Sequence, residues 1–180
     1  MNPVSYGIAM PGISTSRKPA NPQFSGHYRV MVVDDDSTIR RNVSKAFEFH
    51  GKKRGDTFSI SPATNPEEAI EVFNAHPDEP FDFVSLDNSM PHPNQGMGLL
   101  DFIQKMGANK PKHTSMYSSD DGMEAEALEH GADRAYNKKT ITAPIMVKLL
   151  LDSVLGPVVR RPGSPSRSLT SPDSLQNMTS

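Results

Sequence analysis

The stretch "RVMVVDDDSTIRR", residues 29–41, places a run of acidic residues directly after an apolar run. Residues 30–33 form a short, mostly β-branched run, which is typical of a buried strand. Three acids, Asp34, Asp35 and Asp36, follow that run without a gap. We interpret Asp36 as the start of the next helix, where a carboxylate gains about 0.3–1 kcal/mol from the helix dipole. The other two acids indicate a charged site at the end of a core strand.

Around this stretch, residues 28–156 alternate strand-like and helix-like patterns five times. The predicted strands span residues 28–33, 57–64, 81–87, 113–119 and 134–138. The predicted helices span residues 37–51, 65–73, 98–107, 120–131 and 142–156. Five such units without hairpin signals predict an α/β fold: a doubly wound, five-stranded parallel sheet with right-handed crossovers and helices on both faces.

Apolar spacing and capping residues predict the inner face and the ends of the first three helices. The first has four apolar residues at helical spacing, Ile39, Val43, Ala46 and Phe47. It is expected to end at Gly51. The second is expected to begin at Asn65, an N-cap residue followed by proline. The third has four further apolar residues at helical spacing, Leu99, Leu100, Ile103 and Met106.

The same criteria predict the ends of the last two helices. The fourth is expected to be capped near Ser119, to carry Asp120 and Asp121 in its first turn, and to stop at Gly131. The fifth is expected to stop at Gly156. Its expected inward residues are Ile145, Leu149 and Val154.

The two ends of the chain differ from its middle. Residues 1–27 and 157–180 hold 8 of the 16 prolines in 51 positions, and each end carries a net charge of +2. Such segments bury too little apolar surface to offset chain entropy, so we predict that both are disordered tails. The single domain is therefore expected to span residues 28–156.

Composition argues against several classes of protein. The absence of cysteine excludes disulfide frameworks and thiolate metal sites. A net charge of −2, less the +4 of the two ends, leaves −6 on the middle, which argues against a nucleic-acid-binding body. No apolar run is long enough to cross a bilayer, and the N-terminus shows no secretory pattern. We therefore expect a cytoplasmic protein with no membrane insertion and no direct contact with nucleic acid.

Four predicted strands end in polar residues, Asp34, Asp87, Ser118 and Lys138. In a doubly wound sheet, ligands bind outside the carboxyl ends of the strands, where the strand order reverses. We therefore expect these four side chains to share one rim of the sheet.

Placing Asp34, Asp35 and Asp87 together requires a cation. Two carboxylates 4 Å apart repel each other by roughly 4 kcal/mol at an effective dielectric constant near 20. Oxygen ligands without histidine or cysteine favour a hard ion, Mg²⁺ or Mn²⁺, which usually takes a phosphate as a further partner. With a lysine and a hydroxyl on the same rim, the set suits phosphoryl transfer to a carboxylate nucleophile.

Four motifs, in this order, make residues 28–156 resemble the receiver domain of two-component response regulators, closest to the stand-alone, chemotaxis-type regulators. The motifs are "VVDDDSTIRR", "LDNSMP", "YSS" and "GADRAYNK". The resemblance implies the flavodoxin-like receiver fold and a place in a phosphorelay signalling pathway.

The resemblance also implies a role for each site residue. Asp87 would accept a phosphoryl group from a histidine kinase or a histidine phosphotransfer protein. Asp34 and Asp35 would hold Mg²⁺ together with Asp87 and the backbone carbonyl of Ser89. The switch hydroxyl, and the amine that pairs with the acyl phosphate, would be those of Ser118 and Lys138.

One departure from the family's pattern leaves two registers open. The proline that usually follows the family's lysine is missing, and with it the usual reason for a cis peptide there; Lys139 takes its place. Counting from Gly131 selects Lys138 and puts Ala135 where the family has an aromatic switch residue. Counting back from the last helix selects Lys139 and restores Tyr136 to that role. We favour Lys138.

Three hypotheses of function follow. The leading one is a phosphorylation-controlled switch that is not an enzyme beyond its own phosphoryl transfer and autodephosphorylation. The second is a pseudo-receiver that binds partners without phosphorylation. It is motivated by the missing proline and by the loop "PHPNQG" (91–96), which is one residue longer than usual. His92 in this loop is interpreted as solvent-facing. The third is a Mg²⁺-dependent phosphatase with an aspartyl intermediate, which would need an acid two residues past its nucleophile, where Ser89 stands.

For the leading hypothesis, the output is the binding of a downstream target protein. No output module fits in the 24 residues of the second tail, so the signal is expected to leave through the surface of the fourth helix, fifth strand and fifth helix. A phosphorylation-dependent homodimer is a further possible output.

Overall fold

The computed structural model describes residues 26–158. Within them lie five strands: β1 (His27–Val33), β2 (Thr57–Ala63), β3 (Phe83–Leu86), β4 (His113–Ser118) and β5 (Arg134–Asn137). They alternate with five α-helices: α1 (Ser37–Arg54), α2 (Pro66–Ala75), α3 (Gln95–Gln104), α4 (Met123–Glu129) and α5 (Ala143–Leu155). The two predicted tails lie outside the described residues except for the two innermost positions of each, and His27 is already part of β1.

The strands form one parallel sheet in the order β2-β1-β3-β4-β5. The predicted fold class, a doubly wound five-stranded parallel sheet of the flavodoxin-like type, is confirmed. The chain runs from β1 outward to β2 and then returns past β1 to β3, so the strand order reverses between β1 and β3. A crevice is expected at that reversal, beside the carboxyl ends of these two strands.

The sheet separates two apolar clusters. Met31 and Val33 of β1 face the cluster that includes buried residues of α2, α3 and α4, whereas Val30 and Val32 face the cluster of α1 and α5. Successive side chains of a strand point to opposite faces, so a strand covered on both faces has a continuous apolar sequence. This double burial explains the run at residues 30–33.

The inner face of α1 is as predicted, but its end is not. Val43, Ala46 and Phe47 are buried and Ile39 packs against their cluster. The helix continues past Gly51 to Arg54, and Gly55 ends it with a φ of 81°.

Gly51 instead allows a close approach between α1 and the sheet. A Cβ atom at Gly51 would lie 2.5 Å from the ring of Phe58 on β2. This glycine is therefore needed for packing, and the prediction that it stops the helix was wrong.

The last two helices also correct the sequence-based predictions. On α5 the inward residues are Met146, Val147, Leu150 and Leu151. Ile145 and Leu149 are 52% and 43% exposed, and Val154 is partly buried. Since apolar residues surround most of α5, their period does not select one face. Even so, no helix among residues 26–158 has both the length and the apolar character needed to cross a membrane.

At the other helix, α4, the predicted start was wrong. The helix begins at Met123 after Gly122, whose φ is 78°, so Ser119 is not its cap and Asp120 and Asp121 precede it. The acids of its first turn are Glu124 and Glu126. A glycine with a positive φ marks the end of a turn, and the helix can only start after it.

The backbone role of Gly55 gives a direct test. We expect Gly55→Ala to lower the free energy of unfolding by about 1–2 kcal/mol, because alanine is strained at a positive φ although nothing lies within 4 Å of the new Cβ. Gly98→Ala, at an exposed position in α3 with equally free space, should raise it by about 0.5–1 kcal/mol. Urea unfolding of both variants measures this, and a shift of the same sign in both would contradict the assignment.

Candidate functional site

The ends of β1 and β3 place two acids side by side. Val33 pairs with Leu86 in the parallel ladder, so Asp34 and Asp87 leave neighbouring strands at the same level. The amide of Asp87 donates a hydrogen bond to the carbonyl of Val33 at 2.8 Å. The amide of Asp34 donates to the carbonyl of Ala63 on β2 at 3.1 Å. The backbone of both acids is therefore held by the sheet.

A close approach of α3 also holds the Asp87 backbone. Gly96 lies in the first turn of α3, and a Cβ atom there would lie 1.9 Å from the carbonyl oxygen of Asp87. Its amide donates a hydrogen bond to the carbonyl of Asn88 at 3.0 Å. The helix starts at Gln95, three residues before the predicted start. This earlier turn packs on residues 87–90, which we call the acceptor loop because Asp87 is the phosphoacceptor that the sequence predicts.

Three carboxylates form one cluster at this edge. Oxygens of Asp34, Asp35 and Asp87 all lie within 4.8 Å of one another. Asp34 and Asp87 are buried, at 2% and 6% exposure, whereas Asp35 is exposed. The cluster therefore combines two desolvated acids with one that opens to solvent.

The ammonium of Lys138 lies between the two buried acids. Its Nζ atom is 2.7 Å from Oδ2 of Asp34 and 3.1 Å from Oδ1 of Asp87. Lys139 points elsewhere, and its Nζ lies 2.8 Å from Oδ1 of the exposed Asp121. Of the two lysines that the sequence left open, Lys138 is the one that contacts the acidic cluster.

The backbone around Lys138 agrees with this placement. Tyr136 is buried in the cluster of α1 and α5, and Ala135 packs against the opposite cluster. The peptide after Lys138 is trans; the cis peptide found within residues 26–158 is Met90–Pro91.

Burial and neighbouring charges shift the pKa values of both Asp34 and Lys138. Burial raises the pKa of Asp34 to about 6, and the charge of Asp87 adds to this while Lys138 opposes it. Burial alone would lower the pKa of Lys138, but the hydrogen bond and charge of Asp34, together with the charge of Asp87, bring it above its usual value. Two buried carboxylates thus share one ammonium.

The residues of the cluster fit a hard divalent cation. Asp34, Asp35 and Asp87 carry −3 when ionised and Lys138 carries +1, which leaves −2 to be neutralised. Oδ1 of Asp87 is buried, and apart from the ion pair with Lys138 it accepts no hydrogen bond from residues 26–158, so it retains a lone pair for a further partner. An all-oxygen donor set of this charge is typical of sites for Mg²⁺ or Mn²⁺.

The two predicted site residues that carry hydroxyls lie at the end of β4 and in the loop after β3. Ser118 ends β4 and is fully buried. Ser89 follows Asp87 by two residues, and its hydroxyl donates a hydrogen bond to Oδ2 of Asp120 at 2.8 Å. His92 lies exposed in the following loop, as the sequence indicates.

The residue that sequence reasoning missed is Asp120. It was assigned to a helix turn, yet its carboxylate accepts hydrogen bonds from both Asn88 and Ser89. Its position before Gly122 was a usable signal, since "DDG" is turn chemistry rather than the interior of a helix.

Comparison with known proteins agrees with this fold. A model of the response regulator receiver domain matches residues 30–149, two thirds of the chain. The chain belongs to this family. No curated protein sequence matches it.

Several solved structures share the fold. The receiver domain of the Francisella response regulator 1452 is 24% identical with a TM-score of 0.54, over 70% of this chain and 98% of that one. The receiver domain of NtrX from Brucella abortus is 22% identical with a TM-score of 0.56, over 70% and 97%. One chain of the CheX–CheY–BeF3–Mg²⁺ complex from Borrelia burgdorferi is 21% identical with a TM-score of 0.55, over 70% of this chain and 88% of that one. At these identities the likeness concerns the fold.

The contacts of Lys138 predict a large effect on stability. Lys138→Met should lower the free energy of unfolding by about 3 kcal/mol without divalent cations, because two buried carboxylates lose their partner. Lys139→Met removes an exposed pair and should change it by less than about 1 kcal/mol. Urea unfolding at neutral pH compares the two variants. Equal losses would show that the Lys138 ammonium does not compensate the buried acids.

Proposed function

We propose that this chain is a phosphorylation-controlled switch in a phosphorelay, with Asp87 as the phosphoacceptor. The observation that carries the proposal is the position of Asp87, a buried carboxylate in contact with the Lys138 ammonium and grouped with Asp34 and Asp35. The donor is the phosphohistidine of a histidine kinase or of a histidine phosphotransfer protein.

The proposed metal site consists of Asp34, Asp35, Asp87 and the backbone carbonyl of Ser89. Mg²⁺ held there would supply positive charge to the phosphoryl oxygens, as divalent ions do in phosphoryl transfer. The exposed position of Asp35 leaves that ligand open to solvent, which suits an ion that keeps some of its waters. The Borrelia complex contains both BeF3 and Mg²⁺, which supports the binding of a phosphoryl group together with Mg²⁺ in this chain.

The proposed reaction makes an acyl phosphate on Asp87. A carboxylate oxygen of Asp87 attacks the phosphorus atom, and a P–O bond forms as the P–N bond to the donor imidazole breaks. The ammonium of Lys138, 3.1 Å from Asp87, would then pair with a phosphoryl oxygen. Ser118, buried at the end of the adjacent strand β4, would supply a hydrogen bond from its hydroxyl.

A groove beside Lys138 supports access by a protein donor. It has a volume of about 740 Å³ and lies between α1 and the start of α5. Apolar groups that line it include Ile39, Phe49 and Pro144, and Lys138 also lines it. Phe49 is 54% exposed, which leaves an aromatic surface for a partner protein to cover.

The proposed output is the binding of a downstream target protein. Leu128 of α4 is 51% exposed, and α5 exposes Ile145 and Leu149 one helical turn apart. Exposed apolar side chains at these positions support the face of α4, β5 and α5 as the surface that a target, or a second phosphorylated copy, contacts. We place this switch in the cytoplasm, where a phosphohistidine donor would be available.

Phosphodonor labelling tests the acceptor. Incubation with acetyl phosphate and Mg²⁺ should label the protein once, with an acid-stable and base-labile phosphate, and Asp87→Asn should remove at least nine-tenths of the label. Asp121→Asn is the matched control, since it removes an exposed acid that pairs with Lys139, and it should label like the parent. Undiminished labelling of Asp87→Asn would refute the assignment.

A further inference from the structure

Asp120 connects the acceptor loop to the segment that precedes α4. Its Oδ2 atom accepts hydrogen bonds from Nδ2 of Asn88 at 2.9 Å and from Oγ of Ser89 at 2.8 Å. Both donors belong to the two residues directly after Asp87. Asn88 is itself buried, at 3% exposure, and its Nδ2 also donates a longer hydrogen bond to Oδ1 of Asn94 at 3.3 Å.

The backbone of Asp120 contacts the ends of β4 and β5. Its carbonyl accepts a hydrogen bond from Nδ2 of Asn137 at 3.4 Å, and its amide faces Oγ of Ser118 at 3.5 Å. Asn137 directly precedes Lys138. Asp120 therefore touches the loop that follows β3 and the last residues of β4 and β5, at or beside the three proposed site residues Asp87, Ser118 and Lys138.

Apart from the contacts of Asp120, the segment between β4 and α4 is held by the exposed ion pair of Asp121 with Lys139. Ser119, Asp121 and Gly122 are exposed, and Gly122 breaks the helical conformation before Met123. The side-chain contacts of Asp120 therefore tie the start of α4 to the acceptor loop.

We propose that Asp120 couples the state of Asp87 to the position of α4; this rests on the proposed phosphorylation of Asp87. In the unmodified protein its carboxylate holds residues 119–122 against the acceptor loop. Phosphorylation replaces the single negative charge of the Asp87 carboxylate with about two on the phosphoryl group, beside that loop. Repulsion from this charge weakens the contacts of Asp120 with Asn88 and Ser89, and the start of α4 is released.

Ala135 on β5 explains why a coupling through Asp120 is needed. Ala135 packs against the cluster that contains Ala127 of α4, and its single methyl group has no alternative rotamers. A side chain that changes rotamer cannot report the state of the site from that position. The hydrogen bonds of Asp120 supply a connection that depends on charge instead.

Two substitutions separate the hydrogen bonds of Asp120 from its charge. Both contacts fall on the single atom Oδ2, so the amide oxygen of Asp120→Asn can accept them without the negative charge. Asp120→Ala removes the contacts altogether. Ser89→Ala removes one of the two donors and serves as a second disruption of the contact should Asp120→Ala fail to fold.

The test is an amide NMR comparison with Mg²⁺ and BeF3⁻, an analogue of the phosphoryl group. In the parent, both compounds together should shift amides of the acceptor loop and of α4, for example Ala127. In Asp120→Asn the acceptor loop should respond with an affinity within about threefold of the parent, while the Ala127 shift falls below half. In Asp120→Ala the Ala127 amide should lie near the parent's bound position before any addition. Asp121→Asn should match the parent throughout.

The outcomes distinguish the two proposals. A full Ala127 shift in Asp120→Asn, with a normal response of the acceptor loop, would overturn the coupling and leave the phosphoacceptor proposal standing. An unresponsive acceptor loop in the parent would refute the proposed function and the coupling with it.

Discussion

The contact of the Lys138 ammonium with Asp34 and Asp87 is the interaction on which the site depends. Two buried carboxylates whose oxygens lie within 4.8 Å of each other are unstable without a cation. Lys138 neutralises only one of the two charges. The exposed Asp35 adds a third negative charge. The fold therefore keeps a site that one ammonium stabilises only in part, and a divalent ion would complete the neutralisation.

The parallel sheet makes this arrangement possible. β1 and β3 are neighbours because the strand order reverses between them, so their terminal acids emerge together. Gly96 lets α3 pack directly on the backbone of Asp87, which holds one of the acids from the side opposite the sheet. The positions of the two acids are thus set by backbone contacts, so the proposed phosphoryl transfer would need little movement of the side chains.

Much of this was predictable from the sequence, for identifiable reasons. Acids at strand ends, the alternation of strand and helix patterns and the continuous apolar run at residues 30–33 together predicted the fold and the grouping of Asp34, Asp35 and Asp87. The inner face of α5 was not predictable because apolar residues surround that helix. Gly51 and Asp120 were misassigned because their roles depend on long-range neighbours, Phe58 and the acceptor loop, which local patterns do not show.

The most direct test of the central claim is the free energy of unfolding as a function of Mg²⁺ concentration. If the cluster requires a divalent ion, the parent should gain about 1.4 kcal/mol when Mg²⁺ reaches ten times its dissociation constant. Asp35→Asn, which removes an exposed charge without disturbing the core, should gain markedly less at the same concentration. A parent protein whose stability does not respond to Mg²⁺, or an Asp35→Asn variant that responds equally, would contradict the account.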